Sequence, residues 1–374
     1  MKIKISSIEG YLSFIIFFLV GFYKFNYAIV FSILLLIFLS RKLNNNVIFY
    51  NSNIPYLIVL YIGIFLFYII SFIHGMYDNY NNMGEILAVV IFIFLGYLFI
   101  NLLEINKKHL VLAGLLFGLG SYSSYCLWYT YFELGQVSAY SKVWNPFLES
   151  YENSPSHAIN IALLSAWCIN SIFKRRFIEK LFFIPLVIFL ILAGLYSGSR
   201  VFLLIVLFSI VFNIVESKKI IFPILLIIVF ITIFPFLDFS DFTTFDRLSS
   251  DGLKSQRFEL YYLGLENLFY YPFGGYQVDK STFGTVWLHN IFLDVSRMAG
   301  LIPLILFLIF YIGVIKRILK YKKNIDKNLI LIFLSSFVLM QQDVIFTGNF
   351  MLFICSIFSC FTILFYTSEK RIFH

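Results

Sequence analysis

Apolar runs long enough to cross a lipid bilayer recur from one end of the chain to the other, and no other feature narrows its fold as far. A spanning helix needs about 20 apolar residues, somewhat fewer when flanking side chains reach to the headgroups. Twelve runs between polar breaks come near that length. They are Ile8–Tyr23, Phe25–Leu39, Ile54–Ile73, Gly84–Leu103, Leu110–Phe132, Ala158–Phe173, Leu181–Tyr196, Val201–Val215, Ile220–Phe236, His289–Ile315, Leu329–Phe346 and Phe350–Tyr366. Composition agrees: 60% of the 374 residues are hydrophobic and 13% are charged, against about 25% charged in a typical soluble domain. A water-soluble globule is excluded. With 48 Phe and 25 Tyr against eight Pro and 20 Gly, so are disorder and low-complexity repeats. The expected fold is an all-α integral membrane protein of about 12 transmembrane helices, a single polytopic domain over residues 1–374. Met1–Lys4 ahead of an apolar run resembles a signal peptide. No small-x-small cleavage site follows, so the run is read as a retained first span.

Loop charge sets the orientation. With the N-terminus placed in the cytoplasm and twelve crossings, inward segments hold 20 of the 28 basic residues, among them Lys107, Lys108, Lys174–Arg176, Lys218, Lys219 and the run from Lys316 to Lys327. Positively charged loops stay in the cytoplasm, so both termini are expected there. The net charge of +8 therefore orients the chain and does not describe a nucleic-acid partner. Two outward loops exceed turn length: Glu133–His157, with Trp144 and Glu149, and a large extracytoplasmic loop over residues 237–288. Inward loops are short, so chemistry is expected on the outer side or within the membrane. The four cysteines lie in apolar runs without a CxxC or Cys/His cluster and read as core filler.

The remaining eight basic residues fall outside or inside spans, and six of them, Arg200, Arg247, Lys254, Arg257, Lys280 and Arg297, lie between positions 200 and 297. Cations clustered against the orientation rule call for an anionic ligand on the outer side. Arg200 closes Ser197-Gly198-Ser199, a turn between two spans whose backbone N–H groups are expected to face the next helix start, where anions bind. An arginine snorkelling to lipid headgroups is the other reading. Arg257 stands near the start of a helix expected over Ser255–Tyr271, ended by Pro272 and Gly274-Gly275. There it is either a phosphate clamp or a solvated loop charge. Phe258, Tyr261, Tyr262, Leu265, Leu268 and Phe269 give that helix an apolar face that would let it lie on the membrane surface. His289 begins the tenth run, with Asn290, Asp294 and Arg297 at i, i+4 and i+7 along one face. An Asp294–Arg297 pair is structural or part of a polar cavity. His289, Asp294 and Glu259 are all candidates for a general base.

These residues in this order resemble the O-antigen polymerase and O-antigen ligase superfamily of bacterial polysaccharide assembly. The match is carried by Ser197-Gly198-Ser199-Arg200, by Arg257 ahead of Pro272-Phe273-Gly274-Gly275, and by His289-Asn290-Ile291-Phe292-Leu293 followed by Gly300-Leu301-Ile302. It covers about Ser197 to Ile302, while the first half agrees only in hydropathy. The resemblance implies a GT-C-like, metal-independent inverting glycosyltransferase of the bacterial inner membrane, needing no cofactor and working at the periplasmic face. It implies that Arg200 and Arg257 bind the pyrophosphate of an undecaprenyl-pyrophosphate-linked oligosaccharide and that His289 activates the acceptor hydroxyl; Ser197, Ser199, Asn290, Asp294, Arg297 and Glu259 are read from their placement as supporting positions. Lipids and a chain-length regulator protein are the expected partners, and nucleic acid is not. A polymerase passes the chain to the next lipid-linked repeat; a ligase passes it to lipid A–core. The aromatic-rich, sparsely charged sequence resembles the divergent polymerases more. A lipid-linked oligosaccharide flippase is the rival from another class, but no internal repeat supports it.

Overall fold

The computed structural model describes residues 5–23, 53–76, 81–104, 107–136, 142–174, 177–217, 256–343, 345 and 349–369, and it is mostly helical. In chain order the described helices are α1 (Ile5–Tyr23), α2 (Ile54–Ile73), α3 (Asn81–Leu102) and α4 (Lys108–Trp128), which continues as a π turn over Tyr129–Glu133. A short hairpin follows, β1 (Val143–Asn145) against β2 (Ser150–Glu152). Then come α5 (Ser154–Lys174), α6 (Phe177–Tyr196), α7 (Arg200–Ser217), α8 (Gln256–Asn267), the single turn α9 (Lys280–Phe283), α10 (Ile291–Ala299), α11 (Leu301–Tyr321), α12 (Lys327–Leu339) and α13 (Phe350–Glu369). Among the described residues five helices are long and apolar enough to cross a membrane: Ile54–Ile73, Lys108–Glu133, Ser154–Lys174, Leu301–Tyr321 and Phe350–Thr367. The expected runs Phe25–Leu39 and Ile220–Phe236 fall outside the described residues, as does the part of the 237–288 loop before Gln256.

Two expected spans are corrected. The run His289–Ile315 is not one helix: Gly300 adopts φ +84°, a left-handed conformation, and divides it into the nine-residue α10 and the 21-residue α11. The run Leu329–Phe346 stops early, because α12 ends at Leu339 and the next N–H groups fold back onto its last carbonyls, Met340 onto Ser336, Gln341 onto Val338 and Gln342 onto Leu339. Polar Gln341-Gln342-Asp343 inside an apolar run marks that stop.

Packing follows the rules of helices in lipid, where small residues let backbones approach. α1 lies along α4, and a Cβ added at Gly114 or Gly118 would run into the carbonyl oxygens of Phe14 or Phe18. α5 and α13 are almost wholly buried, whereas α2 and α11 pair at the periphery. Outward stripes of Ile58, Ile62, Phe65, Ile69 and Ile73 on α2, and of Ile302, Ile305, Ile309 and Ile312 on α11, give those two helices an apolar outer face suited to lipid tails.

The bundle has two chemically different ends. At one, Glu216 binds Lys322 at 2.7 Å and Lys327 at 2.8 Å, and Lys174 binds Asp326 at 2.6 Å. Buried Lys108 at this end donates to the carbonyls of Ile100 at 2.8 Å and Asn101 at 3.2 Å, closing the C-terminus of α3. The other end gathers longer connections. There the β-hairpin is fastened by Asn145, which donates to the Tyr122 hydroxyl at 2.7 Å and to Glu152 at 3.0 Å, with His157 on the far carboxylate oxygen at 2.9 Å. Among the described residues the bundle thus has one end lined by lysine–carboxylate pairs and one end rich in loops.

Candidate functional site

Most of the residues singled out from sequence lie at the loop-rich end, where a short loop is pinned to the α10–α11 break. Leu301 donates its N–H to the Pro272 carbonyl at 2.8 Å, and Tyr276 donates to the Arg297 carbonyl at 3.1 Å. The approach is so close that a Cβ on Gly300 would meet the Pro272 carbonyl, and one on Gly274 would lie 2.6 Å from the Ala299 nitrogen. His74, at the end of α2, contacts the Phe273 carbonyl through Nε2 at 3.0 Å. The Pro272–Gly275 stretch is therefore a clasp joining α2, α10 and α11.

His289 is held in a conformation that few non-glycine residues adopt, with φ +56°. The backbone on both sides of it is tied down by one carboxylate. Asp294 accepts the N–H of Leu288 at 2.9 Å and that of Asn290 at 3.3 Å. Asn290, in turn, is the N-cap of α10, its Oδ1 accepting from Phe292 at 3.1 Å and Leu293 at 3.2 Å. Asp294 also pairs with Arg297 at 3.6 Å, both side chains being nearly inaccessible. Arg297 donates to the Tyr276 carbonyl at 3.3 Å and lies 5.0 Å over the Trp287 ring. This pair is a structural brace that positions His289. Burial pushes the Asp294 carboxyl up to about 6, against the opposing pull of Arg297 and the two backbone donors. With its oxygens spoken for and its side chain enclosed, Asp294 is badly placed to take a proton from a ligand.

Across from α10 stands α8, whose inner face carries Arg257, Leu260, Tyr261 and Gly264. Leu260 packs with Val278, Leu288 and Leu293 in a small apolar core, and Gly264 leaves room for Leu288. That contact sets the height of the helix against His289. The Tyr261 hydroxyl sits between the carbonyls of His289, at 3.3 Å, and Gln341. Arg257 donates to the Gln342 Oε1 at 3.3 Å. Ile291 completes the link by donating to the Met340 carbonyl at 3.0 Å. α8, α10 and the end of α12 thus converge on one point.

The electrostatics there are specific. The His289 imidazole is pulled down to about 4, first by burial and then by the neighbouring Arg257 guanidinium. It is therefore neutral and able to accept a proton at any pH above that value. Its Nδ1 is buried with no hydrogen-bond partner among the described residues. A neutral base beside a permanent cation suits a reaction that deprotonates a neutral group while negative charge grows on another.

Arg200 is the first residue of α7 and is half-buried. α7 packs on α12, and the Glu216–Lys327 ion pair shows that the two run antiparallel. At 1.5 Å per residue, Arg200 and Gln342 each lie roughly 22–24 Å from that ion pair, at the same end of the bundle. The turn before Arg200 differs from expectation. Ser197 N–H donates to Ala193 and Gly198 N–H to Leu195, while the Ser197 hydroxyl bonds Gly194, so these groups close the end of α6. Buried Ser197 and Ser199 shape the turn, and the N–H groups of Ser197 and Gly198 are already committed. Glu259 is exposed on the flank of α8 turned away from Arg257 and does not join the cluster. Arg247 and Lys254 lie outside the described residues. Lys280 opens α9, whose N-cap Asp279 is held well down, to about 2, by hydrogen bonds from Ser281 and Thr282.

Sequence reasoning missed Gln341 and Gln342, absorbed into an apolar run, and saw Tyr261 only as part of an apolar face. Two adjacent glutamines within a span were the available signal. Among the described residues no group of three His, Cys, Asp or Glu side chains is arranged to hold a metal ion. No protein-family model matches this chain, and a search of curated proteins returns no match.

Proposed function

We propose that this chain is a membrane-embedded glycosyltransferase that joins lipid-linked sugar repeats, an O-antigen or related surface-polysaccharide polymerase. The carrying observation is the Arg257–His289 neighbourhood, a neutral imidazole and a guanidinium brought together from two elements at the loop-rich end. About 12 spans, both termini in the cytoplasm and the 237–288 loop facing the periplasm complete the topology, the tenth span being α11 with α10 lying ahead of it. The resemblance of the motif order from Ser197 to Ile302 supports that reading of the family.

In this reading Arg257 and Arg200 hold the pyrophosphate of an undecaprenyl-linked donor. The acceptor hydroxyl gives its proton to His289 and forms a bond to the anomeric carbon. The carbon–oxygen bond to the pyrophosphate breaks on the opposite side, inverting the centre. Undecaprenyl pyrophosphate leaves with its extra charge on oxygens faced by the guanidiniums. Removing one such preorganised donor typically costs about 10²–10³ in rate, and a positioned base contributes about 10²–10⁴. Among the three carboxylate or imidazole candidates, burial weighs against Asp294 and outward placement against Glu259, leaving His289.

Transfer to lipid A–core, the ligase reaction, uses the same groups. The two separate in cells that depend on this chain. For a polymerase, Arg257→Ala or His289→Ala leaves single repeats attached to core and removes long chains. Loss of the single repeat as well identifies a ligase. Long chains of normal length in both variants would refute the transferase assignment, and accumulation of repeats on the cytoplasmic face would favour a flippase.

A further inference from the structure

The part of α8 that faces away from the candidate site is divided. Viewed down the helix, Arg257, Leu260, Tyr261 and Gly264 form the inner face; Phe258, Tyr262 and Leu265 form a second stripe; Glu259 and Glu266 form a third. The second stripe is 57–70% exposed and runs on into Phe269, Tyr270 and Phe273, each above 70% exposed. Aromatic side chains carry about 150–250 Å² apiece, so these six leave on the order of 800 Å² of mostly apolar surface uncovered. Patches beyond a few hundred Å² mark an interaction surface.

What covers the patch follows from its surroundings. The clasp residue Phe273 is tied by its carbonyl to His74, which directly follows α2, a helix long and apolar enough to span the membrane. Ile73, the last residue of that helix, is 72% exposed and ends its outward stripe. The patch on α8 and its following turn therefore continues the outer surface of α2 at the level where that helix stops. Phe and Tyr side chains with one apolar side and one wet side are what the boundary between acyl chains and headgroups selects. The acidic stripe lies on the adjoining flank, where it meets water.

We infer that α8 and the turn through Phe273 lie in the headgroup boundary of the bilayer on the loop-rich side, with Phe258, Tyr262, Leu265, Phe269, Tyr270 and Phe273 inserted into lipid. This follows from the membrane-spanning architecture and is independent of the proposed transferase activity. Its consequence is mechanical. The helix that anchors in lipid is the one whose other face touches His289 and Gln342, so the anchor fixes the depth of that cluster at the bilayer surface.

The test measures depth and no catalysis. Tyr262→Cys, Phe269→Cys and Glu266→Cys are made separately in the full chain, labelled with an environment-sensitive fluorophore and placed in vesicles of phosphatidylcholine and phosphatidylglycerol. The four native cysteines are buried, so labelling is directed to the new site. Labels at positions 262 and 269 should emit blue-shifted light and be quenched at least twofold more than the label at 266 by lipids with a nitroxide just below the headgroup. Equal, water-like emission at all three positions overturns the inference. So does shielding at 262 and 269 without lipid quenching, which would show that protein, including a second copy of this chain, covers the patch. Either negative result leaves the transferase proposal standing, because position and turnover are read separately.

Discussion

His289 and Asp294 make opposite demands on pH, and their environments fix the sign of each. For Asp294 the folded carboxyl sits at about 6 against an ordinary 3.8. Between those values the native state holds a proton that the unfolded chain lacks. Stability linked to Asp294 is full below about pH 4 and falls as pH rises through 6. His289 is the reverse: the folded imidazole lies at about 4 against 6.5, so the unfolded chain holds the proton. Its contribution is full above pH 6.5 and falls as pH drops through 4. Each displacement exceeds two units, corresponding to about 3 kcal/mol per group. In the parent the two trends largely cancel between pH 4 and 6.5. Removing one exposes the other. The assay is thermal unfolding in detergent across this range, read as variant minus parent so that shared titrations drop out. Asp294→Asn should give a difference that rises with pH, and His289→Asn one that falls. A swing of a few degrees in each is the scale expected from about 3 kcal/mol in a chain of this size. Slopes of the same sign, or two flat lines, would refute the burial and neighbour arguments on which the site rests.

Gly300→Ala should destabilise the protein by about 1–3 kcal/mol, because it strains a φ of +84° and drives a methyl into the Pro272 carbonyl; a lowered melting temperature in detergent checks it. Tyr261→Phe removes the hydroxyl between the His289 and Gln341 carbonyls. A stability loss of about 1 kcal/mol is expected, and the same energy lost from the transition state makes transfer roughly fivefold slower. Arg200→Lys should severely impair chain extension, since an ammonium lacks the bidentate geometry of a guanidinium; product length on a gel decides, and normal chains remove Arg200 from the site.

Much of the fold was legible because lipid imposes a simple rule on sequence: Ile54–Ile73 matches its helix residue for residue. The rule fails where local conformation overrides hydropathy. Gly300 divides the run His289–Ile315, and its N–H and that of Leu301 are engaged by Ser296 and by Pro272, the latter from a loop distant in sequence. Gln341 and Gln342 were diluted by the apolar residues around them. For the site, the residue types were visible but their partners were not. Spacing put Asp294 and Arg297 on one face, yet only the fold shows Asp294 bracing the backbone on both sides of His289. The Ser197–Ser199 turn was rightly placed, but its first N–H groups serve α6, a commitment that turn composition does not reveal.

Turnover of purified protein tests the central claim most directly. Parent, Arg257→Ala, His289→Ala and the double variant are each supplied with undecaprenyl-pyrophosphate repeat units in vesicles, with a chelator removing divalent metal. The account predicts a ladder of products from the parent. It predicts losses of 10² or more in each single variant, and a double variant scarcely worse than either, because groups serving one step do not act additively. A parent that makes no ladder without metal, or single losses that multiply in the double variant, would contradict it.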